Sequence, residues 1–413
     1  MLTPELSADH NVWLRKMAAH LRSESYSRDG RAIVAISRRF LIHLQKKGLT
    51  VHNVQSTDVT KYLSGAKRLR RSPHRLALSA GQRSCYRSAL HMLLRMVHGT
   101  WPPAAAPRSE RERFHRKLLE GYDAWMMNLR GLCSTTRATR CASSLRFLQW
   151  LGERGSEENL GAMTVADIDA YVQWRVRSLQ RSSKKALTVR LRSFLRYLHG
   201  SGHIRDLSSV VLGPKLYRHE GIPSELRPEE IDKVLRSTRR DRSPIGLRDY
   251  AILTLLSTYG LRAGEIAALR LEDIDWSHDR LQIHHSKTGV YSELPLLRAP
   301  GEAILDYLRK GRPKTTQREV FLRACAPYRA LRGASLHSVL EPRLKAAGVV
   351  PRGKRGPHVF RHAKAASLLR SAVPLKVIGD VLAHRSAAST MAYLKLDLEQ
   401  LRGIALDIPR TRP

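Results

Sequence analysis

Apolar positions recur along most of this chain at helical spacing. Leu187, Leu191, Phe194, Leu195 and Leu198 share one helical face, with Arg190, Arg192 and Arg196 off it. Tyr250 to Leu256 reads as an apolar helix, with Gly260 placed to end it in the left-handed cap conformation. Pro374 suits a first helical residue, and Val377, Ile378, Val381 and Leu382 follow as one stripe. Leu396, Leu398, Leu401, Ile404 and Leu406 predict a last apolar helix. Alternation with a period of two is rarer. Arg280 to His285 alternates, Ser286 to Gly289 reads as a turn, and Val290 to Leu296 returns as a second strand. The pattern predicts a mainly α chain with a small antiparallel β-sheet in its C-terminal part.

The pattern also repeats. Phe40 to Gly48 matches Phe147 to Gly155, Asp58 to Leu63 matches Asp167 to Val172, and Leu93 to Gly99 matches Phe194 to Gly200. Three matches in the same order predict two copies of a small helical bundle, which the family resemblance given below implies to be SAM-like. Ser134 and Thr164 are expected helix N-caps in the second copy. Trp101 to Pro107 reads as a stiff proline-rich linker, and Gly213 to Pro223 as another. The expected division is 1–100 for an extra N-terminal copy, 108–213 for the second copy and 224–413 for a third region. The third region opens on a capping sequence, Arg227-Pro-Glu-Glu-Ile-Asp.

Charge narrows the partner. Lys and Arg number 73 against 36 Asp and Glu, a formal net charge of +37. Nucleic acid is the default partner of such an excess. A basic membrane-surface protein is disfavoured, because the chain shows no amphipathic anchor, lipidation motif or membrane-length apolar run. Cys85, Cys133, Cys141 and Cys325 show no paired spacing and read as reduced thiols. The polar start, Met1 to Asn11, does not read as a signal peptide. A cytoplasmic, DNA-associated protein is therefore expected. Candidate phosphate-backbone contacts are Lys184, Lys185 and Arg190 in the second copy. Arg352, Lys354 and Arg355 form a basic loop, and Lys67 to Arg71 is a further run.

Chemistry concentrates near the C-terminus. The stretch reads His358-Val-Phe-Arg361-His362, then Leu382-Ala383-His384, then Tyr393. An arginine and histidines suit a phosphate, since Arg keeps its charge and donates a planar fork while His moves protons near neutral pH. A tyrosine beside them can attack phosphorus and form a covalent intermediate. Upstream, Arg262 follows Gly260 and opens a helix whose amides favour an anion, with Glu265 one turn on to brace it. Lys287 sits at the hairpin tip, where it can enter a groove or give a proton to a leaving oxygen. Each residue alone is unremarkable; the ordered set carries the information. His358 and His362 have a spacing that can bind zinc. No Glu adjoins the first of them, and Arg361 between them would repel a cation, so no metal is expected. His284 and His285 are neighbours on a strand, point to opposite faces and read as structural or DNA-facing.

The ordered set Gly-Leu-Arg-x-x-Glu, hairpin Lys, His-x-x-Arg-His, Leu-x-His and Tyr resembles the tyrosine recombinase (phage integrase) family over the chain from Leu226 on. The resemblance implies that Arg262, Lys287, His358, Arg361 and His384 surround a scissile phosphate, supported by Glu265 and His362, with Tyr393 as nucleophile. It also makes the second copy a core-binding domain that clamps DNA, and the region from 224 on a catalytic domain. The implied partners are double-stranded DNA and further copies of the chain, as a tetramer on DNA, with sister recombinases as other candidates. No cofactor is implied, because the phosphodiester energy is kept in the phosphotyrosine link. A type-IB-like topoisomerase and a DNA-binding regulator with an inactive core are the competing functions. Two positions depart from the family pattern: Ala383 stands where Gly is usual, and Ala363 where Thr is usual.

Overall fold

The computed structural model describes residues 6–26, 28–66, 78–103, 106–215, 224, 226–285, 289–351, 353, 355–383, 390–391 and 393–394. They divide into two compact units, one of Ala104–Glu220 and one of Met1–Pro103 with Gly221–Pro413. The Lys67 to Arg71 run and the expected helix over Leu396 to Leu406 lie outside the described residues.

In the first segment, α1 (Ala8–Ser23), α2 (Arg28–Lys46), α3 (Ser56–Gly65) and α4 (Ala80–His98) enclose one apolar core. The Ser79 hydroxyl accepts from the Gln82 amide while Gln82 reaches back to the Ser79 amide, so a reciprocal box starts α4. Trp101, expected in a linker, is buried and belongs to this core.

The 104–220 unit repeats the plan with α5 (Glu110–Asn128), α6 (Ser134–Leu151), α7 (Val165–Val176) and α8 (Arg181–Gly200). Leu187, Leu191, Phe194, Leu195 and Leu198 are all buried in its core, as their spacing predicts. The two segments share more than helix order. Phe40 meets Tyr62 edge-on at 5.0 Å and 65°, and Phe147 meets Tyr171 at 4.8 Å and 62°. The matching apolar letters thus occupy matching places in two cores. Thr164 caps α7 as expected, boxed with Asp167. Ser134 does not cap α6; the cap position belongs to Cys133, whose sulfur lies 3.2 Å from the Thr136 hydroxyl.

The third segment contains α9 (Pro228–Arg239), α10 (Pro244–Tyr259), α11 (Ala263–Ala268), α12 (Arg298–Asp306), α13 (Leu336–Ala346), α14 (His358–Arg370) and α15 (Leu375–Val381). Its strands β1 (Ile274–Asp275), β2 (Arg280–His285) and β3 (Val290–Pro295) form one antiparallel sheet in the order β1-β2-β3. β2 pairs with β3 in register from Arg280↔Pro295 to His285↔Val290. Helix α10 is buried nearly all round, which is why its sequence is apolar without a stripe. Arg343 on α13 joins Asp249 and Asp241 at 2.9 and 2.8 Å, tying α13 to α10 through a largely buried ion network. Among the described residues the chain is mainly α with one small antiparallel sheet, and no helix is long and apolar enough to cross a membrane.

Candidate active site

The turn after α10 builds one side of the site. Gly260 ends the helix with φ 65° and ψ 30°. A Cβ there would sit 3.0 Å from Leu382 Cδ2 and 3.2 Å from Lys364 Cβ, so space as well as conformation demands glycine. The bend aims the Gly260 carbonyl at α14, where it accepts from Arg361 Nη1 at 2.9 Å.

Arg262 follows as the cap of α11. Its backbone amide donates to Glu265 Oε2 and its Nη1 to Glu265 Oε1, both at 2.7 Å. The brace expected from the spacing therefore forms with both carboxylate oxygens. Helix α11 is only six residues long, so this brace, rather than a helix dipole, positions the guanidinium.

A second grip comes from the far end of α15. Arg262 Nη2 donates to the Ala383 carbonyl at 3.0 Å, and Arg361 Nη2 donates to the Leu382 carbonyl. Two consecutive carbonyls at a helix C-terminus, where partial negative charge collects, thus hold both guanidinium groups. Arg361 is almost fully buried. Burial, then the neighbouring Arg262 charge, pulls its pKa below the usual value, while Tyr393 and Glu265 oppose that shift. A guanidinium stays charged at neutral pH all the same.

Tyr393 lies in a small apolar cluster with Ala365, Ala366, Leu369, Ile378 and Leu382, and its hydroxyl is hydrogen-bonded to Arg361. Burial pushes the phenol pKa up, and the charges of Arg361 and Arg262 pull it part of the way back. The ring of His362 stands 5.5 Å from that of Tyr393, and His358, exposed at the start of α14, stacks on His362 at 6.2 Å. Positions 358, 361 and 362 share one helix face, as three and four residues apart must.

Ile378 and Leu382 are buried, but Val377 and Val381, expected on the same stripe, are 45% and 40% exposed. The buried face of α15 is therefore narrower than the sequence suggested. Lys287 and His384 lie outside the described residues, as do Arg352 and Lys354, while Arg355 is exposed. In the 104–220 unit Lys185 is exposed and Lys184 and Arg190 are half-buried. Arg190 and Arg146 edge a shallow groove of about 630 Å³ lined by Ser134, Thr135 and Thr139. Among the described residues no group of three or more His, Cys, Asp or Glu is placed to hold a metal ion.

Sequence reasoning did not include His285 in the site. It is buried, with Nδ1 2.7 Å from Glu265 Oε1 and Nε2 2.8 Å from Ser292 Oγ. The strand alternation carried the signal, since His285 shares its face with buried Leu281 and Ile283. Exposed His284 stacks on Tyr291 across the hairpin instead.

The model of the phage integrase family matches residues 224–400, the segment that contains this cluster. The protein of Sinorhizobium fredii named "Putative integrase/recombinase y4gC" is 58% identical over 190 residues, which are 46% of this chain and 98% of that protein. The chain belongs to the phage integrase family. The tyrosine recombinase XerD of Lacticaseibacillus casei is 27% identical over 279 residues, covering 66% of this chain and 91% of XerD. Among solved structures, the XerH site-specific recombinase bound to palindromic difH substrate superposes with a TM-score of 0.56 at 16% identity. It covers 73% of this chain and 97% of that one, a likeness of fold.

For this family member the departure at position 383 has a structural reading. Ala383 has φ 48°, in the left-handed region that glycine occupies freely. An L-residue there is strained by about 1–2 kcal/mol, while glycine adds about 0.5–1 kcal/mol of unfolded-state entropy. Ala383→Gly should therefore raise stability by up to about 1 kcal/mol. Ala383→Val, β-branched, should lower it by about 2 kcal/mol. Urea midpoints that move in opposite directions at unchanged slope check this. Equal shifts of one sign would refute a strained turn at 383.

Proposed function

We propose that this chain is a site-specific DNA recombinase that cleaves and rejoins strands through a covalent 3'-phosphotyrosine link, serving integration or excision of a mobile element. The observation that carries this reading is the pairing of Arg262 and Arg361 on two consecutive carbonyls, with the Tyr393 hydroxyl on Arg361. Two preorganised cations beside a nucleophile suit the charge that grows on the non-bridging oxygens of a phosphodiester under attack. The Tyr393 oxygen forms the new bond to phosphorus, the bond to the 5'-oxygen breaks, and the leaving oxygen takes a proton, assigned to Lys287. His358 and His384 are assigned to the non-bridging oxygens and to movement of the phenolic proton. The hydroxyl of another strand then attacks phosphorus and releases Tyr393.

Double-stranded DNA as partner is supported by the net charge of +37 and by the family. Assembly as a tetramer on DNA and a place in the cytoplasm follow from the same reading. Trapping covalent complexes with denaturant and sequencing the DNA end joined to the Tyr393 peptide tests it. A defined cleavage position is expected, and joining between two such sites on a plasmid. Religation of the same strand alone would make the chain a topoisomerase. Cleavage should also persist in excess EDTA after dialysis; loss restored by one divalent ion would overturn the metal-free scheme.

The N-terminal segment contains none of the proposed site residues. A chain that starts at Arg108 should still form the covalent complex on a short substrate. If the first bundle touches phosphates, its removal should flatten the log–log salt dependence of binding by about 0.9 per phosphate lost. A shortened chain that folds and binds its site but cannot cleave would place that bundle in the catalytic machinery.

A further inference from the structure

We propose that an exposed row of arginines on α4, Arg83, Arg87 and Arg95, is a docking surface for the phosphate backbone of double-stranded DNA. This rests on the recombinase reading and deepens it, since it assigns one face of the first bundle to the same partner. Arg83, Arg87 and Arg95 are exposed, and His91 between them is half-buried. The four positions recur every fourth residue, so each step advances about 6 Å and the row drifts slowly round one side of the helix. The row spans about 18 Å, enough to follow several phosphates of one strand. Ser84 and Ser88 are exposed on the same arc and add hydroxyl donors.

Helix α4 has no Asp or Glu along its length. Among the described residues none of the three arginines meets a carboxylate, and Arg95 Nε donates to the His91 carbonyl of its own helix at 3.0 Å. Of the acids in this segment, Asp9 faces His52 and Asp58 boxes the start of α3. The imidazole of His91 registers the field along the row: burial, then Arg95 and Arg87, pull its pKa down. Like charges one turn apart repel, so the row weakens α4 as it stands, and an anion laid along it relieves that repulsion.

The second bundle shows a covered version of this face. Leu93 to Gly99 matches Phe194 to Gly200, and Ser79 and Gln180 hold the matching cap positions of α4 and α8. Arg83, Arg87, His91 and Arg95 thereby correspond to Lys184, Thr188, Arg192 and Arg196. In the second bundle the chain after α8 returns over this side. Arg192 Nε donates to the Val211 carbonyl at 2.8 Å, Thr188 is buried, and a Cβ at Gly213 would collide with Thr188. In the first bundle the same side carries its arginines exposed to solvent.

Fluorescence anisotropy with a labelled duplex that carries the mapped site and long flanks should measure binding by the full chain over a range of salt. The variant R83A/R87A/R95A should make the log–log salt dependence shallower by about 2 to 3, at about 0.9 for each phosphate lost. A control with the same charge removed from other exposed positions of the bundle, R22A/K46A/K47A, should change it by less than about 1. Alanine is the best helix former and removes the repulsion along the row, so the urea midpoint of the first variant should not fall. If it does fall, R83Q/R87Q/R95Q, which keeps long helix-forming side chains, must give the same shallower slope. An unchanged slope in a stably folded variant would overturn the inference, and weaker binding to vesicles of anionic phospholipid in its place would assign the row to a membrane surface. An equal change in variant and control would also overturn it, since any lost charge would then serve. A wild-type chain that binds DNA through this row but forms no covalent complex would overturn the recombinase reading alone. One that binds no DNA would overturn both.

Discussion

Tyr393→Phe should abolish covalent DNA attachment while the protein still folds and binds its site. The ring sits in the cluster of Ala365, Leu369, Ile378 and Leu382, and phenylalanine keeps that packing. What is lost is the hydroxyl and its hydrogen bond with Arg361. A bond of that kind to a charged group is worth about 1.5–3 kcal/mol at most, and Arg361 retains its two carbonyl acceptors. Stability should therefore fall by about 1 kcal/mol, whereas covalent product should fall below detection. The pH dependence gives an internal control. The folded-state pKa of Tyr393 is raised, so its contribution to stability is complete below the unfolded value near 10. That contribution is lost as pH rises through the folded value. The Phe variant has no such group, so its deficit should shrink in alkali. Undiminished covalent product from Tyr393→Phe would show that another residue is the nucleophile.

Much of this fold was legible because apolar spacing reports which face of a helix is buried. The repeated letters Phe40 and Phe147, Tyr62 and Tyr171 return as the same ring pair in two cores. Gly260 was legible too, since an apolar helix that stops at a glycine asks for a left-handed cap, and it has φ 65°. The two carbonyls that grip Arg262 and Arg361 were not. Every residue has a carbonyl, so backbone acceptors leave no mark on a sequence. His285 was hidden for a related reason. Alternation gives the face of a strand but not the partner, and Glu265 lies 20 positions earlier. The exposure of Val377 and Val381 shows the limit of the stripe argument. They stand one residue before Ile378 and Leu382, about 100° round the helix, and four apolar residues do not say where the buried arc stops. The cap of α6 missed by one residue, because a serine beside a cysteine looks like the better acceptor.

Arg361→Lys should be nearly as defective as Arg361→Ala, although it keeps a basic residue. Arg361 is wedged between three acceptors: the Gly260 carbonyl at 2.9 Å, the Leu382 carbonyl and the Tyr393 hydroxyl. The guanidinium reaches them from different edges of one plane, while an ammonium is a single point on a flexible stem. Lysine would leave at least one buried carbonyl without a donor, at about 1–3 kcal/mol. Charge is the second loss. Burial and the adjacent Arg262 already pull the pKa of Arg361 down. A lysine starts about 2 units lower and responds to the same two forces, so its charge is less secure than that of the arginine. The site would then lose a fixed donor at the phosphate in both shape and charge, which costs about a hundredfold to a thousandfold in rate. DNA affinity should change little, because one phosphate contact among many sets a small part of it. Single-turnover cleavage by the two variants, on a mapped site and at one salt concentration, decides the matter. If Arg361→Lys comes within about tenfold of wild type while Arg361→Ala does not, charge alone suffices at this position and the forked geometry described here is incidental to the chemistry.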